Sequence, residues 1–200
     1  MNVEGLFPTP FLFAKFNLDN QKLIDFAYNL KKTDPGEPRD GGWQSPWLDF
    51  NNPEIKELVD VVQEQMTQMS SNLFGIKKEY NIKLMNGWVN INEPNGDAMN
   101  NNYYHMHGPY FISFVYYAKT PEGCGNLTLV PPHGFLDYVI PEQLIEHMSP
   151  FNTQRYHVLP EAGKMVAFPG YITHFANINK STEDRISFAF NGMIENRNIQ

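Results

Sequence analysis

The sequence has one cysteine, more acidic than basic residues and no long apolar run. Because Cys124 is alone, an internal disulfide is excluded, and a reducing compartment such as the cytoplasm is expected. The net charge is −7 and the basic residues form no cluster, which argues against nucleic acids and anionic membrane surfaces as partners. No segment approaches the roughly 20 apolar residues that cross a bilayer. We therefore expect a cytoplasmic protein that neither spans a membrane nor binds nucleic acids.

Length and composition predict a single globular domain. The 200 residues are 42% hydrophobic and 14% aromatic, which is enough to build a substantial core. The apolar pattern changes near residue 80, from helical spacing before it to alternation after it. We expect one domain over residues 1–200, with a helical N-terminal part over about 1–80 and a β-rich core over about 81–200.

Two stretches of the N-terminal part have helical spacing. In the first, Leu23, Ala27 and Leu30 fall on one stripe, and the stretch ends in lysines that suit a helix C-terminus. In the second, apolar residues recur every three or four positions, at Ile55, Val59, Val62, Met66, Met69 and Leu73. Both stripes are typical of helices that pack against a core.

Strand patterns dominate from residue 80 onward. Alternating or β-branched segments occur at 83–92, 111–118, 126–130, 164–169 and 185–193, and a short helix is predicted at 141–148. Two helices followed by many short strands predict an α+β, mainly β fold. Its expected form is a double-sheet jelly roll supported on one face by the N-terminal helices.

Three histidines form the candidate metal site. His105 and His107 are two residues apart just before a predicted strand, and His174 follows another strand and a Pro-Gly turn. Imidazole is a good ligand for iron, zinc, copper and nickel. Gly108-Pro109 breaks the chain directly after the pair, which lets the two rings tilt toward one metal ion. The remaining histidines and Asp97 are interpreted as structural or turn residues.

The segment RISFAFN at 185–191 predicts an anion site. Alternation puts Arg185 and Ser187 on one face of this strand and three apolar residues on the other. A buried arginine needs an anionic partner, and no carboxylate occupies a matching position on the same face. The planar guanidinium suits a carboxylate ligand, to which the hydroxyl could also donate.

Motifs along most of the chain resemble those of a known superfamily. They are GLFPTP, GGWQS, GWVNIN, HMHGPYFISFVYY, GNLTLVPP, GKMVAFPGYITH and RISFAFN. The chain resembles the 2-oxoglutarate/Fe(II)-dependent oxygenases and, more narrowly, an oxygenase family found in marine bacteria and phages. The resemblance implies a double-stranded β-helix that binds Fe(II), with 2-oxoglutarate and O2 as cosubstrates.

The resemblance also assigns the site residues. It implies that His105, His107 and His174 hold the iron. It implies that Arg185, Ser187 and Tyr117 bind the distal carboxylate of 2-oxoglutarate, Tyr117 on the condition that its strand continues unbroken from His107. The implied reaction is decarboxylation of 2-oxoglutarate to succinate and CO2, coupled to hydroxylation of a substrate.

Position 107 departs from the superfamily pattern, in which an aspartate is usual. Three neutral imidazoles would leave Fe(II) with its two positive charges, which a dianionic 2-oxoglutarate balances. The substitution should change affinity and redox properties without preventing binding. The alternative is that His107 does not bind the metal, which leaves two histidine ligands.

Two other functions remain open from the sequence. One is a cupin-like three-histidine dioxygenase that does not use 2-oxoglutarate, and the other is a non-catalytic jelly roll with a structural or binding role. The fold does not determine the primary substrate, which could be a protein side chain or a small molecule. A prolyl or other protein hydroxylase is the preferred interpretation by analogy.

Overall fold

A computed structural model describes residues 5, 8–39, 41–95, 104–132, 140–149 and 151–196 of the chain. Its N-terminal third contains both predicted helices, α1 over Asn20–Thr33 and α2 over Lys56–Asn72. The Asp19 carboxylate caps α1 by accepting a hydrogen bond of 3.0 Å from the backbone N–H of Lys22. Both helices bury most of the apolar stripe predicted from their spacing, but Leu73 lies just after the end of α2 and is exposed.

The described residues also form ten strands. They are β1 Leu12–Lys15, β2 Glu37–Arg39, β3 Gly42–Gln44, β4 Tyr80–Asn92, β5 Ile112–Lys119, β6 Leu127–Val130, β7 Tyr156–Val158, β8 Lys164–Pro169, β9 Thr173–Ala176 and β10 Arg185–Asn196. A seven-stranded sheet has the order β1-β8-β5-β10-β4-β3-β2, and a three-stranded sheet has the order β7-β6-β9. The fold is the predicted jelly roll, with its helices against the larger sheet.

The central strand β10 separates two environments. Ile186, Phe188 and Phe190 are fully buried on its outer face, in the core that contains the helices. Its inner face carries Arg185 and Ser187 and belongs to the space between the sheets, where a second apolar cluster joins β5, β6, β7 and β8. The alternation predicted from the sequence is therefore confirmed, and it places polar groups inside the roll.

The N-terminal part also supplies three short strands to the larger sheet. β1 pairs with β8, and β3 pairs with β4 while β2 extends that edge. These strands have three or four residues, too few for alternation to identify them in the sequence.

The prediction of a short helix at 141–148 is wrong, because the structure has a single 3₁₀ turn at Glu142–Leu144. Leu144 and Met148 are exposed there, so the segment has no apolar face packed on the core. A helix this short is unstable in water without such packing. Within the described residues, no helix has the length and apolarity needed to cross a membrane.

The packing of α2 on the sheet predicts a stability difference between two positions of the same helix. Met66 is fully buried, and Met66→Ala should lower the free energy of unfolding by about 2–5 kcal/mol. Gln68 is exposed, and Gln68→Ala should change it by less than about 0.5 kcal/mol. Urea denaturation measures both values, and equal effects would contradict the described orientation of α2.

Candidate active site

The three predicted histidines come together at the edge of the smaller sheet. His105 and His174 form a β-bridge, with backbone hydrogen bonds of 3.2 Å from His105 N and 2.9 Å from His174 N. The backbone N–H of His107 donates to the carbonyl of Gly170 at 2.8 Å. As a result, one potential ligand atom from each of the three rings lies within 4.8 Å of the others.

The three histidines differ in burial, and burial changes the pKa values of two of their imidazoles. His174 is buried, His107 is half-buried and His105 is exposed. Burial, together with the charge of His105, lowers the pKa of His174 to about 3. Burial lowers the pKa of His107 to about 4. Both imidazoles are therefore neutral at neutral pH, the form that binds a metal.

The hydrogen bonds of His174 determine which nitrogen faces the cluster. Its Nδ1 lies 2.9 Å from the carbonyl oxygen of Ile172, which can only accept a hydrogen bond. Nδ1 therefore carries the proton and Nε2 keeps its lone pair. This arrangement is common among histidines that bind metals.

The guanidinium of Arg185 is the second charged feature of the roll. Arg185 is 3% exposed, and burial lowers its pKa. Its Nη1 donates to the carbonyls of Cys124 and Gly125 at 3.0 Å each, and its Nη2 donates to Asn92 Oδ1 at 2.9 Å. Its Nε has no hydrogen-bond partner among the described residues.

All of these contacts are with neutral groups. In the part of the chain that the structure describes, Arg185 forms no ion pair with an aspartate or glutamate. A buried cation in this state is stabilised by an anionic ligand, and the unpaired Nε–H is a donor for it. The site therefore fits the carboxylate of a small acid.

Ser187 and Tyr117 lie next to each other in the same region. They are paired across β10 and β5, and both side chains are buried. Burial raises the pKa of Tyr117 to about 12, so its hydroxyl is protonated and can donate. Arg185 is close enough for its charge to act on the Tyr117 hydroxyl.

The condition on which Tyr117 was predicted, an unbroken strand from His107, is not met. The strand does not continue from His107, because Gly108-Pro109 intervenes and β5 begins at Ile112. Tyr117 lies near the guanidinium because of its register with Ser187.

The histidines and Arg185 lie toward opposite ends of one surface. Asn191 contacts the ring of His107 and is on the inner face of β10, six residues from Arg185. The Cα atoms of Arg185 and Asn191 are therefore roughly 20 Å apart along the strand. Between them are Ser187 and Ala189. The histidine cluster and the guanidinium therefore lie along the same face of β10.

Comparison with known families agrees with the geometry. Residues 86–191, just over half of the chain, match the family described as "Putative 2OG-Fe(II) oxygenase". This chain belongs to that family. Its cofactor is therefore Fe(II), and its cosubstrates are 2-oxoglutarate and O2. The histidine cluster and the buried guanidinium fit that cofactor and cosubstrate.

Solved structures share the fold of this 2-oxoglutarate oxygenase at low identity. A prolyl hydroxylase from Trichoplax adhaerens, in complex with a hypoxia inducible factor peptide fragment, has a TM-score of 0.64 and 13% identity, over 92% of this chain and 83% of its own. A prolyl-4-hydroxylase from Pseudomonas putida has a TM-score of 0.59 and 12% identity, over 92% of both chains. A 2OG-Fe(II) oxygenase from Burkholderia pseudomallei has a TM-score of 0.59 and 13% identity, over 94% of this chain and 87% of its own. No curated protein sequence matches this chain significantly.

Other residues near the site were not found from the sequence. Asn92 contacts Arg185, while Asn191 and Ser113 contact His107. Alternation put Asn191 on the face of Arg185, but nothing in the sequence indicated its contact. Of the residues interpreted as structural, Asp97 and His133 lie outside the described residues, and His147 is exposed outside the cluster.

Proposed function

We propose that this oxygenase is a hydroxylase in which His105, His107 and His174 bind Fe(II), while Arg185, Ser187 and Tyr117 bind the distal carboxylate of 2-oxoglutarate. The observation that supports it most is the convergence of three imidazoles, together with a buried guanidinium that forms no ion pair with an acidic side chain among the described residues. Bound Fe(II), with 2-oxoglutarate and O2, supplies the oxidation, in which 2-oxoglutarate yields succinate and CO2 and a substrate C–H bond is hydroxylated.

The protein residues orient the cosubstrate and balance its charge. The free Nε–H of Arg185 and the hydroxyls of Ser187 and Tyr117 are donors for one carboxylate of 2-oxoglutarate. Three neutral imidazoles add no negative charge, so the dianion neutralises Fe(II). Val166 and Phe168 are fully buried in the same cluster as Tyr117, and Val115 packs against them partly buried, so this side of the site is apolar.

The substrate reaches the metal from the side of His105. This histidine is exposed, as are its neighbours Tyr104 and Met106, whereas His174 is covered by the ring of Phe168 at 4.8 Å between centroids. We propose that the substrate is a protein side chain, with proline preferred. Four of the solved structures with this fold are named as prolyl hydroxylases, one of them in complex with a peptide fragment.

The proposed enzyme is one domain over residues 1–200 and acts in the cytoplasm. Strands from the N-terminal part pair with β8 and β4, which supports a single folding unit. The single cysteine supports a reducing compartment.

Product analysis tests the reaction class. Purified protein is loaded with Fe(II) without oxygen, given 2-oxoglutarate and then O2, and succinate and oxygen consumption are measured. Succinate that depends on both iron and 2-oxoglutarate supports the proposal. Oxygen consumption without succinate would instead indicate a three-histidine dioxygenase. The absence of both oxygen consumption and succinate would indicate a non-catalytic protein.

Mass spectrometry of peptides tests the substrate class. Proline-containing peptides and matched peptides with alanine in place of proline are incubated with the active enzyme. Addition of one oxygen atom to the proline peptides alone is the expected result. Succinate formation that no peptide stimulates would contradict a protein substrate while leaving the reaction class intact.

Ser187→Ala should weaken 2-oxoglutarate binding without changing the chemistry. Loss of one hydrogen bond to a charged group should raise the KM for 2-oxoglutarate about tenfold and leave kcat nearly unchanged. Thr182→Ala, on the exposed turn before β10, is the control and should behave as wild type. Steady-state succinate assays give both constants, and an unchanged KM for Ser187→Ala would remove Ser187 from the proposed site.

A further inference from the structure

Four polar side chains form a connected network behind His107. His107 Nδ1 lies 2.8 Å from Asn191 Oδ1 and 2.9 Å from Ser113 Oγ, and Ser113 Oγ donates to the same Asn191 oxygen at 2.8 Å. Asn191 Nδ2 donates to Asn86 Oδ1 at 3.0 Å, and Asn86 Nδ2 donates to the Tyr110 hydroxyl at 2.6 Å. The network joins the histidine cluster to strands β4, β5 and β10.

The direction of these hydrogen bonds determines the tautomer of His107. Each amide nitrogen donates away from the histidine, so the amide oxygen of Asn191 is the group that faces the ring. That oxygen has two lone pairs and cannot donate. It therefore accepts one hydrogen from Ser113 and one from His107 Nδ1. His107 Nε2 is then left with a lone pair.

Burial favours this one pattern of hydrogen bonds over its alternatives. Ser113, Asn86 and Asn191 are all buried, where an unpaired polar atom is unfavourable. An amide at position 191 orients the ring without adding negative charge beside the metal. A carboxylate there would accept the same hydrogen bond but would bring its own charge.

We propose that Asn191 is a positioning residue that holds His107 in the Nδ1–H tautomer, with Nε2 directed to the metal, and that Ser113 and Asn86 hold Asn191. This inference rests on the proposed role of His107 as a ligand. It specifies how a histidine at the position of the usual aspartate becomes a competent ligand.

NMR of the folded, metal-free protein tests the tautomer directly. With ¹⁵N-labelled histidine, long-range ¹H–¹⁵N correlations at neutral pH distinguish Nδ1–H from Nε2–H, and His107→Gln assigns the signals. Wild type should show His107 as Nδ1–H. Asn191→Leu should give a mixture of tautomers, and Asn191→Asp, which keeps the accepting oxygen, should restore Nδ1–H.

Metal affinity provides the second measurement. Anaerobic titration with Fe(II) should show binding 10- to 100-fold weaker in Asn191→Leu, and much closer to wild type in Asn191→Asp. Met66→Ala, which destabilises the fold elsewhere, controls for a general loss of stability and should bind iron normally. If Asn191→Leu does not fold, Ser113→Ala takes its place, with a smaller loss expected.

Two results would overturn the proposal in distinguishable ways. An Nε2–H tautomer in wild type would mean that the network runs in the opposite direction, while a two-histidine iron site and its activity could still exist. Absence of Fe(II) binding by folded wild type would refute the proposed function together with this inference, whatever the tautomer.

Discussion

Arg185→Leu should weaken 2-oxoglutarate binding roughly 10²- to 10⁴-fold while leaving Fe(II) binding close to wild type. Removing one partner of a buried charge pair costs about 3–5 kcal/mol, because the other charge is left without compensation. The guanidinium is far along β10 from the histidines, so the metal ligands should be unaffected. Anaerobic calorimetry with Fe(II)-loaded protein measures the dissociation constant of 2-oxoglutarate.

Arg185→Lys separates charge from geometry. The ammonium keeps the positive charge but loses the planar fork, and it should therefore bind 2-oxoglutarate with intermediate affinity. Because Arg185 also donates to backbone carbonyls, Met66→Ala serves as the control for lost stability. Normal 2-oxoglutarate binding by Arg185→Leu would place the cosubstrate elsewhere.

His174→Ala should remove stable iron binding and reduce succinate formation at least about 10³-fold. His174 is the most buried of the three rings, and its Nε2 is freed for the metal by the hydrogen bond to Ile172. Changes to residues that merely support a ligand cost 10- to 100-fold, and loss of a ligand should cost more. Metal analysis after anaerobic loading and desalting measures the bound iron.

His147→Ala is the matched control for that loss. His147 is exposed and lies outside the histidine cluster, so its removal should change neither iron content nor succinate formation. Full iron occupancy in His174→Ala would show that the converging histidines do not form the metal site.

The longer elements were predictable because each carries its own pattern. α1 and α2 have apolar stripes, and β10 alternates over seven residues, so both faces of the central strand could be assigned before the structure. The short strands β1, β2 and β3 could not be found in this way. Their partners are β8 and β4, and pairing with distant strands, more than local preference, makes them extended.

The candidate site was predictable in its residue types and not in its contacts. Arg185 stands out because few structural roles suit a charged side chain in a buried strand, and the histidines stand out because of their spacing next to predicted strands. The carbonyls that hold Arg185 belong to residues about 60 positions away, and a backbone group carries no sequence signal. Asn191 contacts His107 from 84 residues away, so the sequence placed Asn191 on the correct face of its strand without indicating this contact.

Anaerobic addition of 2-oxoglutarate to the Fe(II)-loaded protein tests the central claim most directly. If three imidazoles hold the iron and the guanidinium orients the keto acid onto it, a visible iron-to-ketoacid charge-transfer band should appear in wild type. It should be absent in His174→Ala and need far more 2-oxoglutarate in Arg185→Leu. A folded, iron-loaded wild type that shows no such band at saturating 2-oxoglutarate would contradict the claim.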